Sequence, residues 1–170
     1  MWEYDGSRRP TFATKPSPTQ ESVWDYPRPP ALKQDSRTIS IYDGEQLIAQ
    51  STRCYRMLET ASPPTFYIPF DDIDIEQCRA IAGNSYCEWK GTASYWALER
   101  DKSMQMIAWS YPSPTDVFMP IKNHMAFYPG RINCFINDEK VKPQDGGFYG
   151  GWVSDEIVGP WKGSEGFGHW

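Results

Sequence analysis

Long apolar runs are missing from this chain of 170 residues. None of its stretches approaches the ~18 apolar residues of a membrane-spanning helix, so no membrane span is expected. Histidine is scarce: besides His124 there is only His169, near the C-terminus, which leaves too few imidazoles for a His-rich catalytic metal site. The four cysteines, Cys54, Cys78, Cys87 and Cys134, contain no C-x-x-C pair, so neither a zinc knuckle nor any other metal or cofactor is expected. Positive charge is also short. With 17 Lys and Arg against 22 Asp and Glu the net charge is −5, which argues against nucleic-acid binding through neutralised phosphates. The opening Met1-Trp2-Glu3-Tyr4-Asp5-Gly6 lacks a basic segment followed by an apolar one, so no secretory signal is expected. A cytoplasmic protein with reduced thiols follows from that.

What is abundant is aromatic. Eight Trp and ten Tyr contribute to an aromatic content of 15%. A core short of Leu and Val then leans on rings, whose N–H and O–H tips need partners. Three segments concentrate them: Cys87-Glu88-Trp89-Lys90-Gly91-Thr92-Ala93-Ser94-Tyr95-Trp96, Ala108-Trp109-Ser110-Tyr111-Pro112 and His124-Met125-Ala126-Phe127-Tyr128. Rings two residues apart lie on one face of a strand. By that parity Cys87, Trp89, Gly91, Ala93 and Tyr95 share a face, as do Trp109 and Tyr111, and His124, Ala126 and Tyr128. Gly91 leaves a gap between Trp89 and Tyr95, where a ligand or a neighbouring backbone can approach.

Punctuation along the chain predicts an all-β domain. Residues 1–36 carry six of the fifteen prolines and should run extended, anchored by Trp24, with the part before Ser17 loose. The body, 37–142, opens with the strongest hairpin signal, Thr38-Ile39-Ser40-Ile41-Tyr42, then Asp43-Gly44, then Gln46-Leu47-Ile48-Ala49. Strands follow over 52–58 and 65–68. Asp74 is a candidate cap for one helical turn over 75–80. The aromatic strands then fall near 85–98, 104–111 and 121–128, before a last hairpin from Arg131–Ile136 to Lys140–Val141. The tail, 143–170, holds eight of the thirteen glycines but also six rings, and is expected to wrap the body without regular structure.

Several of these motifs occur together and in order: Glu21-Ser22-Val23-Trp24-Asp25-Tyr26-Pro27-Arg28-Pro29-Pro30, Arg56-Met57-Leu58-Glu59-Thr60 with Tyr67-Ile68-Pro69, Cys87-Glu88-Trp89-Lys90-Gly91, Ala108-Trp109-Ser110-Tyr111-Pro112, and His124 through Arg131. With Gly146-Gly147-Phe148-Tyr149-Gly150-Gly151-Trp152 they make the chain, over roughly 20–168, resemble the family known as domain of unknown function 427. That resemblance implies a β-tent-type fold, two antiparallel sheets pinned together near one edge, with at most one or two short helical turns. Several β-tent relatives carry zinc on C-x-x-C knuckles, which this chain lacks. The family sometimes carries a nucleotidyltransferase-like label. This sequence has no Gly-Ser pair followed by paired metal-binding aspartates, and Asp72-Ile73-Asp74 is a lone D-x-D.

The rings admit two readings: an inward-packed core, or a pocket with Tyr67, Trp89, Tyr95, Trp109 and Tyr111 as walls and Lys90, Glu59 and His124 as its polar groups. Cys87, His124 and Glu59 have the residue types of nucleophile, base and orienter, and Lys90 is a further candidate for proton transfer or covalent work. Arg53, Arg56 and Arg131 are candidates to clamp a carboxylate or phosphate, or to pair with a structural acid; Arg131 is counted with the ligand-binding set. Three functions follow. The leading one is a module binding a small organic ligand or an exposed side chain, because rings outnumber titratable groups. The others are an enzyme using Cys87, Lys90, His124 or Glu59, and a protein-interaction module presenting its Pro-rich segment.

Overall fold

Short runs of β-branched and aromatic residues broken by Gly and Pro favour strands, and the computed structural model, which describes residues 2–164, is built largely of them. In order they are β1 (Glu21–Ser22), β2 (Ala31–Asp35), β3 (Ile39–Asp43), β4 (Gln46–Ser51), β5 (Cys54–Leu58), β6 (Thr65–Pro69), β7 (Cys78–Cys87), β8 (Gly91–Leu98), β9 (Ala108–Ser110), β10 (His124–Phe127), β11 (Asn133–Ile136), β12 (Glu139–Lys140), β13 (Lys142–Pro143), β14 (Trp152–Val153) and β15 (Ile157–Val158). Two antiparallel sheets dominate, one ordered β2-β5-β6-β10-β9-β8-β7 and one ordered β12-β11-β3-β4. Two-residue ladders add β13 to β14 and, in parallel, β1 to β15. No helix among the described residues is long and apolar enough to cross a membrane.

The two large sheets enclose the main core. Ile39, Ile41 and Ile48 from the smaller sheet meet Phe66, Ile68, Ala108, Met125 and Phe127 from the larger one, all nearly or fully buried. The Asp43-Gly44 signal is realised: β3 and β4 pair from Asp43 opposite Gln46, and Gly44 adopts a φ of 59°, which glycine supplies at no steric cost.

Three expectations are corrected. The helical turn over 75–80 shrinks to a 3-10 segment, Ile75–Gln77, because Cys78 already pairs with Leu98 and Arg79 with Ala97. The continuous strand near 85–98 is instead the close of a hairpin, with Glu88-Trp89-Lys90 as its turn and Cys87 opposite Gly91. The stretch before Ser17 is docked rather than loose. Trp24 is fully buried and donates from Nε1 to the Pro160 carbonyl at 2.9 Å, while the rings of Tyr4 and Phe12 stand edge-on to it at 5.3 and 5.4 Å. Arg9 pairs with Asp25 at 2.7 Å and the Thr14 amide donates to the Gly159 carbonyl at 2.8 Å. The tail likewise carries short strands, and Trp152 enters the main core; Phe167, His169 and Trp170 lie outside the described residues.

One ion cluster joins both chain ends to the body. The Arg56 side chain on β5, 5% exposed, pairs with Glu21 of β1, donates to the Tyr26 hydroxyl at 3.0 Å and approaches Glu156 of the tail at 3.4 Å. Arg37 bridges the same Glu156, at 2.5 Å, to Asp35 at 2.6 Å. Burial raises the affinity of the Glu21 carboxyl for its proton, but the hydrogen bond and charge of Arg56 outweigh it and hold Glu21 below its ordinary value of 4.5. Asp35 is likewise held below 3.8, burial being outweighed by Arg37. Carboxylates depressed on folding contribute stability that is complete above their unfolded values and is lost as pH falls through the folded ones. Urea denaturation from pH 7 to 3 should therefore show stability declining below pH 4.5. The decline should be shallower in Glu21→Gln. The Glu21 side chain is 43% exposed, so solvent screens the pair. Arg56→Leu should cost about 2 kcal/mol at pH 7, less than the roughly 3–5 for breaking a fully buried pair.

Candidate functional site

The larger sheet has a second face, turned away from the smaller sheet, and strand alternation loads it with rings. Where Phe66 and Ile68 point into the main core, Tyr67 points outward; where Met125 and Phe127 point in, Ala126 and Tyr128 point out. Trp109 on β9 stands opposite Tyr95 on β8 and Ala126 on β10, and Tyr67 stands opposite Tyr55. The small Ala126 leaves room across β10, so the Trp109 indole N–H donates to the Tyr67 hydroxyl at 3.2 Å, the two rings meeting edge to face at 6.2 Å.

Over this row lies a cavity of about 320 Å³. Tyr67, Tyr95, Trp109, Tyr111 and Tyr128 give it aromatic walls, and Met57 and Ala93 fill gaps between them. Three chemically capable groups line it: Glu59, just past β5, and Cys87 and Lys90 from the end and turn of the β7–β8 hairpin. That turn is held from outside by Thr115, which donates from Oγ1 to the Trp89 carbonyl at 2.6 Å and from its amide to the Lys90 carbonyl at 3.1 Å. Gly91 has a φ of 106°, and a Cβ there would stand 3.1 Å from the Ser113 carbonyl oxygen. The gap at Gly91 is thus occupied by neighbouring backbone, not open to a ligand.

Lys90 is half-buried, and its ammonium lies 5.6 Å from the centroid of the Tyr111 ring. Neither a hydrogen-bond acceptor nor an ion-pair partner meets it among the described residues. Burial disfavours its charge, yet the acidic side chains around it, the Tyr67 phenol, the Cys87 thiol and the Glu59 carboxyl, outweigh that and hold Lys90 above its ordinary value. Tyr111 is pushed far above the normal phenol range, chiefly by burial, and Tyr128 up to about 12 for the same leading reason. Near neutral pH both phenols are therefore neutral hydroxyls, able to donate or accept. The Tyr95 hydroxyl is hydrogen-bonded to Ser85 Oγ.

Other residues singled out by sequence lie elsewhere. His124 is separated from Cys87 and Glu59, so these three do not form a nucleophile, base and orienter. It sits in another cleft with Arg53, Tyr55 and Lys122, its Nδ1 bonded to the Lys122 carbonyl at 2.9 Å, and burial lowers its proton affinity. Trp89, carried on the turn, packs at 5.4 Å against Trp2 and does not line the cavity. Arg131 stands behind the wall, its guanidinium 4.4 Å from the Tyr128 ring centroid and donating to the Met106 carbonyl at 2.9 Å. Arg53 clamps Asp72 at 2.8 Å, and Asp74 receives Gln77, so the D-x-D is structural.

The last wall comes from the tail, which residue-by-residue reading of the strands does not reach. Gln144 is buried, donates to the Lys162 carbonyl at 2.7 Å and accepts from the Gly151 amide at 3.2 Å. The bend it holds lays Gly150 flat on the Trp109 ring; any Cβ at Gly150 would overlap that indole. Tyr149 and the exposed Phe148 complete the rim.

The model of a family described as domain of unknown function (DUF427) matches residues 31–138. The chain belongs to DUF427. The matched span contains the aromatic row, Glu59, Cys87 and Lys90, while the tail wall of the cavity lies beyond it. No curated protein matches this DUF427 chain. Gly150→Val should lift the tail from Trp109, shifting tryptophan emission to the red and increasing acrylamide quenching. Overpacking of this kind should also destabilise the fold by about 1–3 kcal/mol.

Proposed function

We propose that this DUF427 protein binds a small organic ligand in the aromatic cavity over the outer face of its larger sheet, without covalent chemistry of its own. The observation that carries the reading is the convergence of five rings on one cavity of about 320 Å³ beside a lysine ammonium that no acceptor among the described residues meets. Binding sites are mostly apolar walls with a few placed polar groups, and this one sits at the small end of the roughly 300–1,000 Å³ range. Neutral phenols add hydrogen-bonding capacity without charge. With a net charge of −5, nucleic acid is not proposed as a partner. A cytoplasmic location is proposed with it, supported by four free cysteines.

An enzymatic reading has one observation in its favour: the Cys87 thiol, the Lys90 ammonium and the Glu59 carboxylate line the same cavity. The interaction-module reading is weakened by the docking of its Pro-rich segment through Trp24.

A metabolite screen by thermal shift tests the binding reading. A ligand present at 100 times its Kd adds about 2.7 kcal/mol. For a chain of this size that raises Tm by roughly 5–10 °C. Trp109→Ala and Lys90→Ala should abolish most of the shift; a compound that stabilises wild type and both variants equally would place binding elsewhere. If a hit is turned over, Cys87→Ser should abolish turnover under the enzymatic reading, and unchanged turnover eliminates the thiol as nucleophile.

A further inference from the structure

The cavity holds one side chain of each charge, and they do not pair with each other. Lys90 and Glu59 both line it and Glu59 contributes to the field at Lys90, yet no ion pair joins them within 4.0 Å. Glu59 makes no side-chain hydrogen bond or ion pair among the described residues; Lys162, whose charge it favours, is also outside ion-pair distance. The topology explains the separation. Glu59 follows β5 and Lys90 lies in the β7–β8 turn, with β6, β10 and β9 between β5 and β8. β5 and β8 lie four inter-strand steps of ~4.8 Å apart, and the registers set Glu59 and Lys90 beyond opposite ends of that array. Both side chains line the cavity, and their charged ends stand more than 4.0 Å apart.

We propose that the cavity takes a zwitterionic ligand, a free α-amino acid with a large apolar or aromatic side chain. Its carboxylate would meet Lys90, its ammonium Glu59, and its side chain would lie on Trp109 and Tyr67. This rests on the binding function proposed above and gives it a ligand class. A wholly apolar ligand would cover both charges and leave them without partners, which is costly. A phosphate or dicarboxylate would find a single cation, with Glu59 repelling its second charge. An amino acid satisfies both ends at once through charge-assisted hydrogen bonds, and the phenol-rich wall attracts its ammonium further. The size of the cavity, about 320 Å³, leaves room for one amino acid.

Titration calorimetry on the full chain with L-phenylalanine, L-tryptophan and L-leucine tests the proposal, alongside N-acetyl-L-phenylalanine, L-phenylalaninamide and 2-phenylethanol. At least one free amino acid should bind, and L-phenylalanine should bind at least about tenfold more tightly than either blocked form, the worth of one hydrogen bond to a charged group. Lys90→Met should erase the preference over the amide alone, and Glu59→Gln the preference over the N-acetyl form alone. Circular dichroism should show both variants folded. Equal binding of blocked and free forms, or no binding of any of the three amino acids, overturns the zwitterion. If 2-phenylethanol nonetheless binds and Trp109→Ala abolishes it, the aromatic site stands while its ligand class falls. If none of the six compounds binds, the amino-acid proposal falls on that result, and the metabolite screen alone decides the broader reading.

Discussion

Arg56 is buried in the middle of this protein, and a buried guanidinium must be neutralised. Its neutralising partners lie at neither end of its own sheet but at the two ends of the chain: Glu21 comes from the N-terminal segment and Glu156 from the tail. Once β5 places Arg56 inward, both ends are drawn onto the same spot, and β1 can pair with β15 in the only parallel ladder among the described residues. Trp24 and the Pro160 carbonyl repeat the arrangement with an indole in place of a guanidinium. The residues that match the family model, 31–138, thus form a body whose flanks are held by charge and rings more than by sheet.

The candidate site is a product of unequal sheets. Each sheet packs one face on the other, so the larger sheet keeps its outer face without a partner sheet, and that wide face carries the rings. It is covered instead by the 112–123 segment, whose 3-10 turns over Asp116–Ile121 carry Phe118 and Ile121, and by the tail. Irregular covering leaves space that interdigitating strands would have filled, which is why a cavity exists here and not between the sheets. Within it the polar atoms are arranged economically: Trp109 spends its N–H on Tyr67, and Tyr95 is tied to Ser85, so Lys90 and Glu59 are left to face whatever enters.

Local signals carried much of this architecture. Asp43-Gly44 announced its hairpin, alternation announced the inward and outward rings on β8 and β9, and the motifs around Trp109 pointed to the family that the chain proved to belong to. The failures have a common cause, which is contacts made far away in sequence. Asp74 has the chemistry of a helix cap, but pairing of Cys78 with Leu98 overrides the local preference. Gly91 was legible as a close approach, but not that Ser113 makes it, nor that Trp89, carried on the turn before it, packs on the aromatic cluster and on Trp2 without lining the cavity. His124 shares a residue-type pattern with Cys87 that only the strand order could separate. The tail wall was hidden because a glycine laid on an indole looks, in sequence, like a flexible spacer.

That glycine-rich wall has a consequence for how the core and the cavity are coupled. The aromatic row, Glu59 and Lys90 all precede residue 144, whereas the wall of Gln144, Tyr149 and Gly150 runs directly into Trp152. Trp152 is buried in the main core, so the stretch that completes the core is the one that lays Gly150 on Trp109. Filling the space between the sheets and closing the outer cavity are thereby tied together through a few residues of backbone.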